Sequence, residues 1–471
     1  MTNISKIGYG SINFLFMIDH IKLKNNLNLL LIPKIGSKSC VIGFVAPTGL
    51  IQEEQSFPNA INYLLERLYW SGTQKYPNRR QLKTYLESLA AQVHSYVGFE
   101  TVQVFLEVPA YNQYKALYLL ADIIQESLLE TNEIEAQKRV VKDRVFGSQR
   151  IDNIGELGKN LITQNFYLNT NYIDNNFSKL EEFMSIKRDD LLNYISHQFH
   201  PDKSYLIISG SFEDDILETC EQEWGSWTPK SKRYIDHLEQ RIPNNLDMPI
   251  INYRQRGSLL TEAHLGFLMD PDPFVYFINQ ETGEFCTQAE LEEIRPLYLR
   301  QLCILMILNT VLGQGESSKL WSKSIIDEML FNDISSEVTQ LKHGVYLQIY
   351  GTLENSQFTF GMESILKVLD GLKKITISIN ELIRIKENLK GRIVLGHEAL
   401  VDFTLSKVET YINTSFEFST EELLEIISSI QASEIRNMAL DLFRPEKLTI
   451  FVHGTAKETK IINKLIDRYL V

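Results

Sequence analysis

The sequence predicts an α+β protein of two homologous halves, each a mostly antiparallel sheet packed with helices. Three observations carry this. A segment from the middle of the chain recurs at its end, strands precede helices within each half, and the apolar runs are core-sized rather than membrane-sized. The chain has 471 residues, of which 44% are apolar and 23% charged, enough to build large cores and too hydrophobic for disorder.

The repeat sets the organisation. Residues 185–211, SIKRDDLLNYISHQFHPDKSYLIISGS, align without a gap to residues 429–455, SIQASEIRNMALDLFRPEKLTIFVHGT, at an offset of 244 (429 − 185). Identities fall at Ser185/Ser429, Ile186/Ile430, Asn193/Asn437, Phe199/Phe443, Pro201/Pro445, Lys203/Lys447 and Gly210/Gly454. Each copy reads as a helix, a Pro that cannot continue it, then an apolar strand closed by Gly. Both copies end a half of similar length. The division is therefore residues 1–240, a polar linker over 241–257 with two Pro and three Asn, and residues 258–471.

The first half reads in order. Asn26–Pro33 and Cys40–Ala46 are expected to pair as strands joined through Gly36. Phe57–Ser71 carries Ile61, Leu64, Leu65, Leu68 and Tyr69, one apolar helical stripe, with Pro58 suited to the first turn. His94–Val108 reads as a strand. Asn132 with Glu135, and Ser419 with Glu422, offer capping boxes for later helices.

Composition excludes several classes. Lys plus Arg number 47 and Asp plus Glu 60, a net charge of −13 that repels phosphate, so neither nucleic acid nor an anionic membrane is an expected partner. The four cysteines, Cys40, Cys220, Cys286 and Cys303, form neither a CxxC pair nor a disulfide framework, which suits a reducing compartment. The first twenty residues lack a signal-peptide or presequence pattern, and the greasy segments Leu29–Ile32 and Leu302–Leu312 fall short of the roughly 20 residues a bilayer requires. A cytoplasmic protein without membrane insertion is expected.

The stretch VIGFVAPTGLIQEEQSFPNAINYLLERLYWSGT (41–73) resembles the opening of the pitrilysin/insulinase-type zinc peptidases, the superfamily of the mitochondrial processing peptidases. The resemblance covers nearly the whole chain apart from an insertion near 271–295, and it continues through 86–108, 134–145, 199–212 and the turn LGQGESSKL at 312–320. It implies a clamshell half of two domains like those of the processing peptidases. In active relatives the helix carries His-x-x-Glu-His before Gly-Thr. Counting back from Gly72-Thr73 places that motif on Tyr63-Leu64-Leu65-Glu66-Arg67, and the third ligand falls on Arg144, beside Asp143.

The chemistry of that motif is gone. Zinc needs lone pairs from imidazole, thiolate or carboxylate. Arg67 and Arg144 have none and stay cationic, and Tyr63 ligates only as a phenolate. Glu66 remains where the family has its general base, with no metal-bound water to act on. The family's Arg and Tyr from the second half are replaced by Ile325 and Asn332. No catalytic residue, metal or cofactor is therefore expected. Tyr63, Glu66 and Arg67, at i, i+3 and i+4, share one helical face, and Glu66 is expected to pair with Arg144, and Asp143 with Arg67.

The resemblance implies peptide binding by addition to an exposed sheet edge within 93–105, centred on His94, Ser95, Tyr96 and Val97, because main-chain hydrogen bonds survive loss of the metal. Gly313 and Gly315 match a glycine-bearing turn that guides peptide in the non-catalytic subunit of processing peptidases; a tight turn is the plainer alternative. His197 and His200 spell HxxH, but Pro201 follows at once and the repeat sets Asp441 and Arg444 opposite them, so a structural role is expected. The expected function is a non-catalytic subunit that binds peptide and completes the chamber of a zinc-bearing homologous partner in a heterodimer, for leader or precursor processing. A purely structural protein derived from a peptidase is the alternative. The acidic balance favours a cationic peptide.

Overall fold

The computed structural model describes residues 18–50, 58, 60–143, 158, 162–163, 166, 176–228, 231, 250–253, 259–269, 288–341, 344–414, 416–454 and 459–471. Two sheets organise them. The first holds β1 (Asp19–Lys22), β2 (Asn28–Pro33), β3 (Ser39–Ala46), β4 (Gln92–Val97), β5 (Val102–Pro109) and β6 (Tyr205–Gly210), in the order β1-β2-β6-β3-β5-β4. The second holds β7 (Ile250–Tyr253), β8 (Leu260–Leu268), β9 (Phe331–Leu341), β10 (Gly344–Glu354) and β11 (Leu448–His453), in the order β7-β11-β8-β10-β9. The second order repeats the first without β1. Each sheet is antiparallel except for one parallel pair, β2 with β6 and β7 with β11.

The helices are α1 (Ile61–Leu68), α2 (Arg79–Ser88), α3 (Gln113–Gln125), α4 (Thr131–Val141), α5 (Asn176–Ser185), α6 (Arg188–Gln198) and α7 (Ile216–Trp224) in the first half. The second half has α8 (Gln288–Gly313), α9 (Phe358–Lys374), α10 (Ile379–Gly396), α11 (Leu400–Thr414), α12 (Thr420–Ser429), α13 (Ala432–Leu442) and α14 (Thr459–Tyr469). The repeat is visible down to its caps. At the start of α6 the Lys187 N–H donates to Asp190 Oδ2 at 2.7 Å, and at the start of α13 the Gln431 N–H donates to Glu434 Oε2 at 2.8 Å, each pair 244 residues from its counterpart. Gly210 and Gly454 close the equivalent strands at φ of 97° and 159°.

Strand periodicity divides the first sheet between two cores. Leu29 and Leu31, Ile42 and Phe44, and Leu206 and Ile208 point into a large core with α1, α3 and α6. Their alternates Leu30, Ile32, Val41, Val45, Phe105 and Ile207 form a separate cluster on the opposite face. That face is covered from the other half: Leu400, Val401, Phe403 and Val408 of α11 pack on it, and Thr404 Oγ1 donates to Ser209 Oγ at 2.7 Å. The reciprocal contact exists. Helical residues Ile162 and Phe166 lie against the second sheet, where a Cβ on Gly266 would meet Ile162 Cγ2 at 2.4 Å, and Thr163 bonds Tyr346. The 244-residue offset maps Gly158, Ile162, Thr163 and Phe166 onto Asp402, Ser406, Lys407 and Thr410 of α11.

Several expectations change. β2 and β3 are not paired, because β6, apolar on both faces, inserts between them. His94–Val108 is a hairpin of two strands, β4 and β5, rather than one. The proposed linker 241–257 supplies Ile250–Tyr253 as β7, an edge strand. Asn132 and Glu135 do not cap α4; the helix begins at Thr131 and Glu135 instead accepts from Lys138 Nζ at 2.8 Å. Ser419 does cap α12, accepting from the Glu422 N–H at 3.0 Å, while the Glu422 carboxylate turns to Arg295. α8 is longer than the apolar run suggested, and Glu293–Gly313 is long and apolar enough to cross a membrane, yet Leu299, Cys303, Leu305, Ile307, Leu308 and Leu312 are buried in the second core.

Candidate functional site

The site is built around α1. It starts after Ala60, held at φ 62°, and buries Ile61, Asn62, Tyr63, Leu64, Leu65 and Leu68. Asn62 Nδ2 donates to Gly49 O at 3.0 Å, fastening the helix start to the loop before it. Tyr63 is 7% exposed and belongs to the first core. Arg67 reaches α4, where its Nε donates to Gln137 Oε1 at 2.7 Å. Arg79, the first residue of α2, bonds both Glu133, at 3.1 Å, and Ser71 Oγ, at 2.9 Å, through its guanidinium. Glu66 accepts from Ser95 Oγ of β4 at 3.1 Å. So α1, α4 and β4 are joined by side-chain hydrogen bonds.

One of the two expected ion pairs can be followed, and it is not formed. Arg67 turns to a neutral amide, and no ion pair joins it to Asp143 among the described residues. Arg144, the expected partner of Glu66, lies outside them. The donor set does not fit zinc either. A core tyrosine and a guanidinium engaged with Gln137 supply no ligand pair, and among the described residues no group of three His, Cys, Asp or Glu could hold a metal.

Among the described residues β4 is the outermost strand of its sheet and pairs only with β5. Gln92, Val93 and Tyr96 are exposed on it, and neither face of the strand is fully covered. The buried His94 Nε2 has no hydrogen-bond partner among the described residues. From the end of β4 a cavity of about 960 Å³ opens between the halves. Its first-half wall is Tyr96, Val97, the turn 98–101 and Gln103; its second-half walls come from α8, α10, α11 and residues 337–341 of β9, the matching edge strand. Of the predicted peptide contacts, Tyr96 and Val97 line the cavity, while Ser95 turns to α1.

Gly313 and Gly315 frame a cavity residue, Gln314, rather than lining the cavity themselves. Gly313 ends α8 where a Cβ would meet Ser336 Oγ at 2.5 Å and the Ser336 nitrogen at 2.6 Å, so its absence of side chain allows the helix to touch β9. Gly315 has φ 87° with open space around it, the left-handed turn that stops the helix. Gln314 donates to Ser336 O and accepts from Arg392 Nη1 at 2.9 Å. Ile325 packs against the second core and Asn332 is exposed on β9. His197 Nδ1 lies 2.8 Å from Asn193 O, a helical contact, and His200 sits 4.0 Å from Asp202, its pKa lowered by burial.

Sequence patterns had not singled out Glu337, Glu409, Arg392, Lys407 or His397, which line the cavity. Glu100, Glu337 and Glu409 supply acids; Arg392, Lys407 and His397 supply bases. The described lining is therefore mixed in charge, unlike the chain as a whole. Burial raises the Glu409 pKa, partly offset by the Gln103 amide, and lowers those of Lys407 and His397. Lys407 and Glu409 lie on α11, whose crossing to the other sheet leaves no periodic signature of its own, so the only sequence signal was the offset itself.

The profile of the Insulinase family (Peptidase family M16) matches residues 30–165, and that of the Peptidase M16 inactive domain matches residues 185–389. The chain is 22% identical to the uncharacterized zinc protease YmxG of Bacillus subtilis, over 91% of this chain and 96% of that one. It is 23% identical to the mitochondrial-processing peptidase subunit beta of Saccharomyces cerevisiae, over 88% and 86% of the two chains. A protease from Helicobacter pylori superposes with a TM-score of 0.74 at 16% identity, covering 94% of this chain and all of the other. A peptidase M16 inactive domain from Pseudomonas fluorescens gives 0.73 at 13% identity, covering 94% and 99%.

Proposed function

Since the chain belongs to the insulinase-type (M16) peptidase family yet lacks its metal donors, we propose that it is the non-catalytic subunit of a heterodimeric peptidase. It binds peptide and completes the chamber of a zinc-bearing homologue, with processing of a leader or precursor peptide as the task. The observation that carries this reading is the pairing of a disarmed α1 with an open β4 edge. Arg67 and Glu66 are engaged with Gln137 and Ser95, while the strand beside them keeps a free main-chain edge that leads to a cavity. Peptide addition to such an edge uses backbone groups and needs no metal. Relatives named as zinc proteases and as a processing-peptidase subunit support a peptidase lineage.

The test is direct. The purified chain should hold no stoichiometric zinc and cleave no peptide. Co-expressed with a His-x-x-Glu-His homologue from the same genome, it should form a complex burying well over about 1,000 Å² and raise peptide cleavage above that of the homologue alone. Zinc at one per chain would overturn the reading. A stable complex whose cleavage ignores this chain would favour a purely structural role, which the dense bonding around α1 also suits.

A further inference from the structure

The cavity separates its charges. Glu409 faces the first sheet, where Gln103 Nε2 donates to its Oε1 at 3.4 Å. Lys407 lies two residues earlier on α11, about 200° away around the helix. It is 5% exposed, donates to the Phe418 carbonyl and stands 5.5 Å from the Phe418 ring centroid and 6.0 Å from that of Phe403. A third residue, Arg392 of α10, holds its guanidinium between Thr310 Oγ1 at 2.7 Å and Gln314 Oε1 at 2.9 Å.

Both cations are thus held by neutral oxygens, and neither forms an ion pair among the described residues. This is unusual for a lysine so deeply buried, because charge withdrawn from water is normally paired. The three N–H bonds of an ammonium exceed the one carbonyl acceptor that Lys407 has. Arg392 likewise keeps donor capacity beyond its two bonds. His397, on the same wall, brings no negative charge: its ring nitrogens lie 2.9 Å from Thr420 Oγ1 and 3.3 Å from Ser406 Oγ. Glu417, Glu421 and Glu422 favour the Lys407 charge from beyond ion-pair distance, and both cations keep N–H donors open to an anion supplied from outside.

We propose that the cavity takes an extended peptide segment bearing a carboxylate, an acidic side chain or a free C-terminus, against the wall that carries Lys407 and Arg392. This rests on the peptide-binding reading above and adds a specificity to it. The end of β4 delivers a bound strand to the cavity mouth at Tyr96 and Val97, and the cations lie within the same space. Charge-assisted bonds to the carboxylate then replace water around Lys407. The acids on the remaining walls accept cationic side chains of the same peptide, so the preferred ligand carries both signs rather than positive charge alone.

The experiment uses the purified full chain and one fluorescent decapeptide in three forms: a central Glu with an amidated C-terminus, the Gln counterpart with the same amide, and the Gln peptide with a free C-terminus. One carboxylate form should bind roughly tenfold tighter than the neutral form, and which one does identifies the source. Lys407→Met should reduce the carboxylate form's advantage over the neutral form to within about twofold; Arg392→Gln, on a more exposed helix face, should do the same if Lys407→Met fails to fold. Equal affinity for all three forms, or a preference that persists in both variants, overturns the proposal. If no peptide binds, N-acetylglutamate amide is the probe. A raised thermal midpoint in the wild type but not in the Arg392→Gln protein sustains the carboxylate site and sinks peptide binding, whereas no shift overturns the site too.

Discussion

Ser95 Oγ donates to Glu66 Oε1 at 3.1 Å, so the carboxylate that the sequence resemblance sets at the general-base position bonds the edge strand β4. The residue has changed employment without changing identity. An acceptor for a strand hydroxyl carries no proton in catalysis. In a complex with a zinc-bearing partner, Glu66→Gln in this chain should leave kcat within about twofold, whereas the same change in the partner's motif should abolish turnover. A large fall in kcat from Glu66→Gln would return this residue to the chemistry.

If backbone groups of β4 carry peptide affinity, N-methylation of the peptide should weaken binding with a period of two. Outward-facing amides along a strand alternate, so every second methyl should lower affinity by about tenfold and those between should have little effect. A flat scan would mean that side chains alone hold the peptide. The readout is fluorescence anisotropy on the methylated series.

The two glycines of the α8 turn should respond in opposite orders to Ala and Asn. Gly313 is restricted by contact with Ser336, so Ala should destabilise by roughly 1–3 kcal/mol and the larger Asn by more. Gly315 is restricted by its φ of 87° in open space, so Asn, which tolerates the left-handed region, should be better accepted than Ala. Urea unfolding of the four variants distinguishes these, and identical rankings at the two sites would refute the assignment.

Stability should fall as the solution is acidified below neutrality. Burial lowers the pKa of His200, His397 and His453 below the ordinary 6.5, with Lys407 and Lys34 adding to the effect at His397. Between the lowered folded value and 6.5 the unfolded chain binds more protons, so stability is full above 6.5 and lost as pH falls through that window. Thermal midpoints from pH 7.5 down to 5 should decline, and His397→Asn should make the decline shallower. A midpoint independent of pH in this range would count against neutral buried imidazoles.

The crossing of α11 predicts that neither half is self-sufficient. Residues 1–240 alone would expose Leu30, Ile32, Val41, Val45, Phe105 and Ile207, which α11 covers in the intact chain. That fragment should bind a hydrophobic dye and aggregate, and a peptide spanning 398–416 added in trans should suppress both. A monodisperse, dye-negative fragment would show that the covered face is dispensable.

Much of this architecture was legible in the chain. The apolar stripe of α1, the 244-residue repeat, the Ser419 cap of α12 and the absence of metal donors at Tyr63 and Arg67 all follow from local chemistry. What was not legible depends on tertiary placement. β6 reads as a closing strand because it comes last, yet its apolar character on both faces makes it central. The β7 segment, IINY, is too short and too flanked by polar residues to announce a strand, and its partner β11 lies about 200 residues away. Arg67 could be seen to lack a metal, but its choice of Gln137 over a carboxylate is fixed by how α1 and α4 pack. Lys407 reads as an ordinary helix-surface lysine until α11 is known to cross to the other sheet.

That crossing also imposes a schedule on synthesis. The first sheet is complete once Gly210 has been made, but the helix that shields its outer face ends at Thr414. At about 5–20 residues per second, the roughly 200 intervening residues take about 10–40 s to emerge. During that interval a nascent apolar surface waits on the ribosome for its cover, and the chain depends on whatever shelters it there.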